Sequence, residues 1–116
     1  MRDSYHEALD SVVDDLVDMT GLVQTALREA TSALLDADLA AAEEVISADA
    51  RIDALHDELE VRCFSLLARQ APVAGELRTV VAAMRMVADL ARMGDLSAHI
   101  AKIARLRYPD HAVPEG

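Results

Sequence analysis

"LDSVVDDLVDMTGLVQTALREATSA", residues 9–33, sets the architecture. Its apolar side chains fall at Leu9, Val12, Leu16, Met19, Val23, Ala26, Ala30 and Ala33, an unbroken 3-4-3-4 rhythm. A strand alternates with period two, so this rhythm is instead the seam of a helix packed in a left-handed bundle. "LLDADLA", residues 34–40, breaks the rhythm, and Asp38 is placed to cap a second helix whose first turn holds Ala41 and Ala42. That second seam runs Val45, Asp49, Ile52, His56, Leu59, Cys63 and Leu66, with two of its positions polar. "RQAPVAGELR", residues 69–78, ends it, because Pro72 suits the first turn of a new helix and not the interior of an old one. The third seam reads Leu77, Val80, Met84, Val87, Ala91, Gly94, Ala98 and Ala101, and stops at "RYPDHAVPEG".

Three helices of roughly 45 Å each at 1.5 Å per residue, joined by short connections, pack as antiparallel neighbours. The expected fold is all-α, an elongated antiparallel up-down-up three-helix bundle over residues 1–108, with 109–116 as a linker or tail. A chain of 116 residues is one domain with one core. Only 3% of its residues are aromatic while 53% are hydrophobic, so that core must come from Leu, Val, Ile, Met and many Ala.

The formal charge is −10, from 21 acidic against 11 basic side chains. Such a balance argues against nucleic-acid binding, whose footprint is basic, and against adhesion to an anionic membrane. Cys63 stands alone, which excludes an internal disulfide and fits a reducing compartment. "MRDSYHEALD" lacks the apolar core of a signal peptide, and no apolar run reaches the length of a membrane span. The expected location is the cytoplasm.

Acidic residues gather near the third seam. Asp49 lies 23 residues before Pro72 and Asp95 lies 23 after it, so "DARID" (49–53) faces "ARMGD" (91–95) across the second and third helices. Within each helix i and i+4 share a face, so Asp49, Asp53 and His56 form one stripe and Asp95 and His99 another. Three carboxylates and up to two imidazoles are thus expected to converge at one level, with Gly94 beside them permitting close approach. Two resolutions of the like-charge repulsion are open. The acids stay solvated or pair with Arg51, Arg85 or Arg92; or they hold a cation, since carboxylates suit Mg, Ca and Mn and a mixed carboxylate–imidazole set suits Fe, Zn or Mn. Glu-x-x-His, the mark of an oxygen-activating di-iron bundle, occurs nowhere. Cys63, on an apolar stripe, reads as a core residue; Met19, Met84, Met86 and Met93 read as core or seam filling. His6 and His111 read as exposed, and "KIARLR" (102–107) as cations complementing a helix C-terminus.

"MRDSYHEAL", "ALLDADLAAAEEVISADARIDALHDELE", "LLARQAPVAGELR" and "VADLARMGDLSAHIAKIARLRYP" together, in this order and spacing, resemble the PhoU family of phosphate-transport regulators, and the chain looks like an actinobacterial member. The family fold is two tandem three-helix bundles with E(D)xxxD motifs that bind metal, iron or zinc among them. This sequence has the length of one, the N-terminal. The resemblance puts Asp49 and Asp53 on the first acidic pair and Asp95 on the second residue of the other pair. Ala91 stands where that pair usually begins with Glu, so the implied site (Fe, Zn, Mn or Mg) lacks one acid; His56, His99 and Asp89 are the candidate additional ligands. The resemblance further implies a non-enzymatic regulator that restrains phosphate uptake and the starvation response. Its implied partners are the ATPase subunit of a phosphate ABC transporter and a sensor histidine kinase. An apolar face left uncovered on a single bundle would also favour a homodimer.

Overall fold

Helix α1 spans Arg2–Asp36, α2 Leu39–Arg69 and α3 Ala74–Arg107 in a computed structural model that describes residues 2–69 and 74–113. Each of the three helices packs against both others. The molecule measures 57 × 23 × 16 Å, the length expected of a single helix layer of this size. The chain is an all-α three-helix bundle, as its seams require. Pro72 and its turn lie outside the described residues.

The α1 seam is buried in full, from Leu9 through Ala33, with Met19 and Val23 wholly inaccessible. On α2 the apolar seam positions Val45, Ile52, Leu59, Cys63 and Leu66 are buried, while Asp49 and His56 are half-buried. Side-chain size is graded along the axis. Tyr5, Leu9, Val12 and Leu16 pack at the end shared with Leu59, Leu66 and Val80, whereas Ala26, Ala30, Ala33, Ala42, Ala101 and Ala104 build the other end of the same core. Small residues there need little space between helices, so burial at that end comes from close approach.

The seam of α3 differs from its expected course at the start. Leu77 is 41% exposed, and Glu76 takes the inward position instead, its Oε2 3.2 Å from His6 Nε2 on α1. Ala83 is buried where Met84 was expected, leaving Met84 half-buried. Met86 and Met93, expected as core or seam filling, are exposed at 48% and 41%. The common reason is that the inward face here is made of small and polar side chains, which an apolar pattern passes over.

The α1–α2 connection is two residues long. Ala37 adopts φ 52°, the left-handed conformation that ends helices. Asp38 then caps α2: its Oδ1 accepts the Ala41 backbone N–H at 3.1 Å and its carbonyl accepts that of Ala42 at 3.1 Å. Farther along, Arg62 ties α2 to α1 by donating to Asp15 and, at 2.7 Å, to Ser11 Oγ. After α3, the His111 Nδ1–H donates to the Leu35 carbonyl at 2.9 Å, returning the chain to the end of α1.

Candidate functional site

The two polar interruptions in the α2 seam resolve differently. Asp49 occupies a seam position between Val45 and Ile52, so its side chain starts toward the helix interface and is half-buried. Asp53 lies one turn later at the edge and is exposed; Asp95 reaches the same spot from α3 and is also exposed. One carboxylate oxygen from each can be chosen so that all three lie within 4.8 Å of one another. The turn arithmetic that set Asp49 opposite Asp95 therefore describes the real juxtaposition.

Among the described residues, none of the ion pairs engages these three acids. Asp49 Oδ1 is buried and accepts no hydrogen bond. Burial, then the charges of Asp53 and Asp95, push its carboxyl above the usual carboxylate range, against the pull of Lys102. Arg92 takes Asp89 instead, at 3.5 Å along the same helix. Arg51 and Arg85 make no ion pair with the cluster.

The additional ligands do not join it. His56 is held by Asp57 at 3.0 Å and lies 3.6 Å from Glu60, which turns its ring toward its own helix's outer acids. Neither His99 nor Asp89 belongs to the group of converging donor atoms. The reason is axial: His56 is seven residues beyond Asp49, almost two turns and about 10 Å along the helix, and Asp57 and Glu60 hold its ring away from the cluster. What converges is an all-oxygen set. Three carboxylates, one with an unsatisfied buried oxygen, fit a hard cation such as Mg, Mn or ferric iron better than a tetrahedral zinc, which prefers nitrogen and sulfur. Ala91, at the expected position of a fourth acid, is half-buried and packs on the core.

Gly94 sits directly beneath. A Cβ added there would stand 3.0 Å from Ile52 Cγ2, so the close approach that the sequence suggested is made by a neighbouring side chain. Cys63 is fully buried and its thiol is pushed up by burial, consistent with a core residue and not a nucleophile. His6 and His111 are both exposed, though each contacts a neighbouring element.

A second acidic contact escaped the sequence reading. Glu29 on α1 lies beside Glu44 on α2, and hydrogen bonding to Glu44, then burial and the charges of Glu44 and Asp38, raise the Glu29 carboxyl above the usual carboxylate range. They border a groove of about 350 Å³ that also touches Arg51. The signal was present, since Glu29 and Glu44 are nearly equidistant from the turn at Ala37–Asp38. The same symmetry sets Ser11 and Asp15 against Arg62.

Comparison with known proteins agrees with this architecture. The PhoU domain matches residues 16–104. The phosphate-specific transport system accessory protein PhoU homolog 2 of Mycobacterium tuberculosis is 53% identical over 115 residues, covering 99% of this chain and 54% of the relative. PhoU homolog 1 of Mycobacterium leprae is 49% identical over 115 residues, 99% of this chain and 52% of its own length. The PhoU homolog of Aquifex aeolicus is 40% identical over 98 residues, 84% and 44% respectively. The chain spans about half the length of these relatives. A bundle seam, a paired acidic face and near-complete alignment at this identity agree: the chain belongs to the PhoU family.

Proposed function

We propose that this chain is a non-enzymatic regulatory module of phosphate uptake and phosphate-starvation signalling, working by protein contact with the ATPase subunit of a phosphate ABC transporter and with a sensor histidine kinase. The observation that carries this reading is the 53% identity over 99% of the chain to a protein named as a transport-system accessory. We place its work at the cytoplasmic face of the membrane, reached through those partners; no helix among the described residues is long and apolar enough to cross a membrane. Residues 1–108 are taken as the contact-bearing bundle and 109–116 as a linker or tail. Direct binding measured against the purified ATPase subunit and the kinase's cytoplasmic region tests the reading. Saturable binding to at least one is expected; binding to neither, together with unchanged phosphate uptake on deleting the gene in phosphate-rich medium, would overturn it.

The acidic cluster supports a second property, capture of a hard cation by Asp49, Asp53 and Asp95. The buried, unpartnered Asp49 oxygen is the specific observation in favour. A bound cation would offset the charges of the three carboxylates and add rigidity between α2 and α3. Elemental analysis of protein purified without chelator, with thermal shift on adding Mg, Mn, Fe or Zn, decides it; no metal and no shift would end the reading. Ala91→Glu restores a fourth carboxylate one turn from Asp95 and is expected to tighten binding about tenfold, or ~1.4 kcal/mol. An unchanged affinity would remove position 91 from the ligand cluster.

A further inference from the structure

Cations are concentrated on one helix. The sequence of α1 holds eight acidic residues against two basic and α2 seven against three, while α3 carries six basic against Glu76, Asp89 and Asp95. In a chain of charge −10, α3 is where the balance reverses.

Three of these cations belong to a stripe. Arg78, Val81, Arg85, Ala88, Arg92 and Leu96 follow one another at spacings of three and four, the rhythm by which one helix meets another. The inward seam of α3 is a different row, through Val80, Ala83, Val87, Leu90 and Gly94. Along the outer stripe every side chain is exposed except that of Ala88, which is half-buried; Leu96 is 55% exposed. From Arg78 to Leu96 it runs about 27 Å at 1.5 Å per residue. Among the described residues, no ion pair engages Arg78 or Arg85. Arg92 meets Asp89 at 3.5 Å, a contact of two solvated groups that another carboxylate can replace.

Apolar side chains exposed on the other helices sit in fields of the opposite sign. Val61 and Phe64 on α2 lie among Asp57, Glu58 and Glu60, and Arg62 beside them is held by Asp15 and Glu58. Val13 and Val17 on α1 lie among Asp10, Asp14 and Asp18. Apolar surface thus occurs on all three helices, and charge selects the part that an anionic partner can reach.

We propose that the outer stripe of α3 docks an acidic amphipathic helix of a partner protein. The partner's apolar residues seat on Val81, Ala88 and Leu96, and its carboxylates on Arg78, Arg85 and Arg92. The spacing and length suit a helix laid along a helix, and the guanidinium fork holds a carboxylate at two points. The acidic remainder of the molecule sets the position, because it repels the same partner from α1 and α2. This names a contact surface for the regulatory role proposed above, and rests on that reading only in taking a protein as the occupant.

The probe is a hydrocarbon-stapled helix of about 21 residues, three heptads with leucines on one face and glutamates beside them. It is titrated by fluorescence anisotropy into the 116-residue chain. Saturable binding that weakens as salt rises is expected, although both molecules are negative overall. Arg85→Glu and Leu96→Glu should each weaken it about tenfold with unchanged helical circular dichroism. Phe64→Glu, on the α2 surface, should leave it unchanged. No binding, or a loss with Phe64→Glu as large as with Leu96→Glu, would overturn the proposal. So would either of two other occupants: phosphatidylglycerol vesicles that take up the chain while the peptide does not, or a dimer that excludes the peptide and dissociates with Arg85→Glu. Peptide binding in a protein that recognises neither the ATPase subunit nor the kinase would defeat the regulatory reading and leave the docking stripe standing.

Discussion

A methyl group added at Gly94 would press on Ile52 Cγ2 at 3.0 Å, and Ile52 is 1% exposed, with a β-branch that restricts its escape. Alanine in a helix interior is worth about 1 kcal/mol over glycine, but overpacking a core typically costs ~1–3 kcal/mol. Gly94→Ala is therefore expected to destabilise the bundle by roughly 1 kcal/mol, and to become stabilising in an Ile52→Ala background, where the crowded methyl is gone. Chemical denaturation of the four proteins measures that reversal of sign. Asp49 is a second residue-scale test. Its carboxyl holds a proton more tightly folded than unfolded, so its contribution to stability is present at low pH and is lost as pH rises through the raised folded value. Asp49→Asn should stabilise the metal-free protein at neutral pH and flatten the loss of stability just above the usual carboxylate range. Thermal melts at stepped pH, with chelator present, would show no such gain if Asp49 were well solvated.

Between α1 and α2 the chain reverses in two residues, and each has a separable job. Ala37 is in a left-handed conformation that glycine adopts more readily by about 1 kcal/mol. Part of that is offset by the freedom glycine adds to the unfolded chain. Ala37→Gly is expected to leave stability unchanged or raise it by up to ~1 kcal/mol, whereas Asp38→Ala removes the cap on Ala41 and should cost ~1 kcal/mol. Urea midpoints with unchanged slope would separate these from any change in fold. At this scale much was legible. Asp38 was readable because a short acceptor just before a helix has one chemical use, and the α1 seam because eight apolar positions share one period. The α3 seam was less legible: Glu76 and Ala83 carry the inward face, and neither polarity nor small size marks a residue as buried until a neighbouring helix covers it.

Over the whole molecule, 21 acidic side chains crowd a rod only 23 × 16 Å in section. Self-repulsion on that scale is screened by salt, so the melting temperature is expected to rise between low and physiological ionic strength; a melting temperature independent of salt would show that pairs such as Arg62 with Asp15 already balance the field. The helices, their number, their order and the facing of Asp49 on Asp95 follow from the order of residues, because a 3-4 period and a distance counted from a turn are properties of the chain alone. Which donors converge was set by the packing of the three helices. Asp49, Asp53 and Asp95 meet while His56 turns to Asp57 and Asp89 to Arg92, and Ile52, not a ligand, fills the space over Gly94. Those outcomes depend on rotamers and on angstrom-level helix separation, which are set when three faces pack at once and are carried by no single stretch of residues.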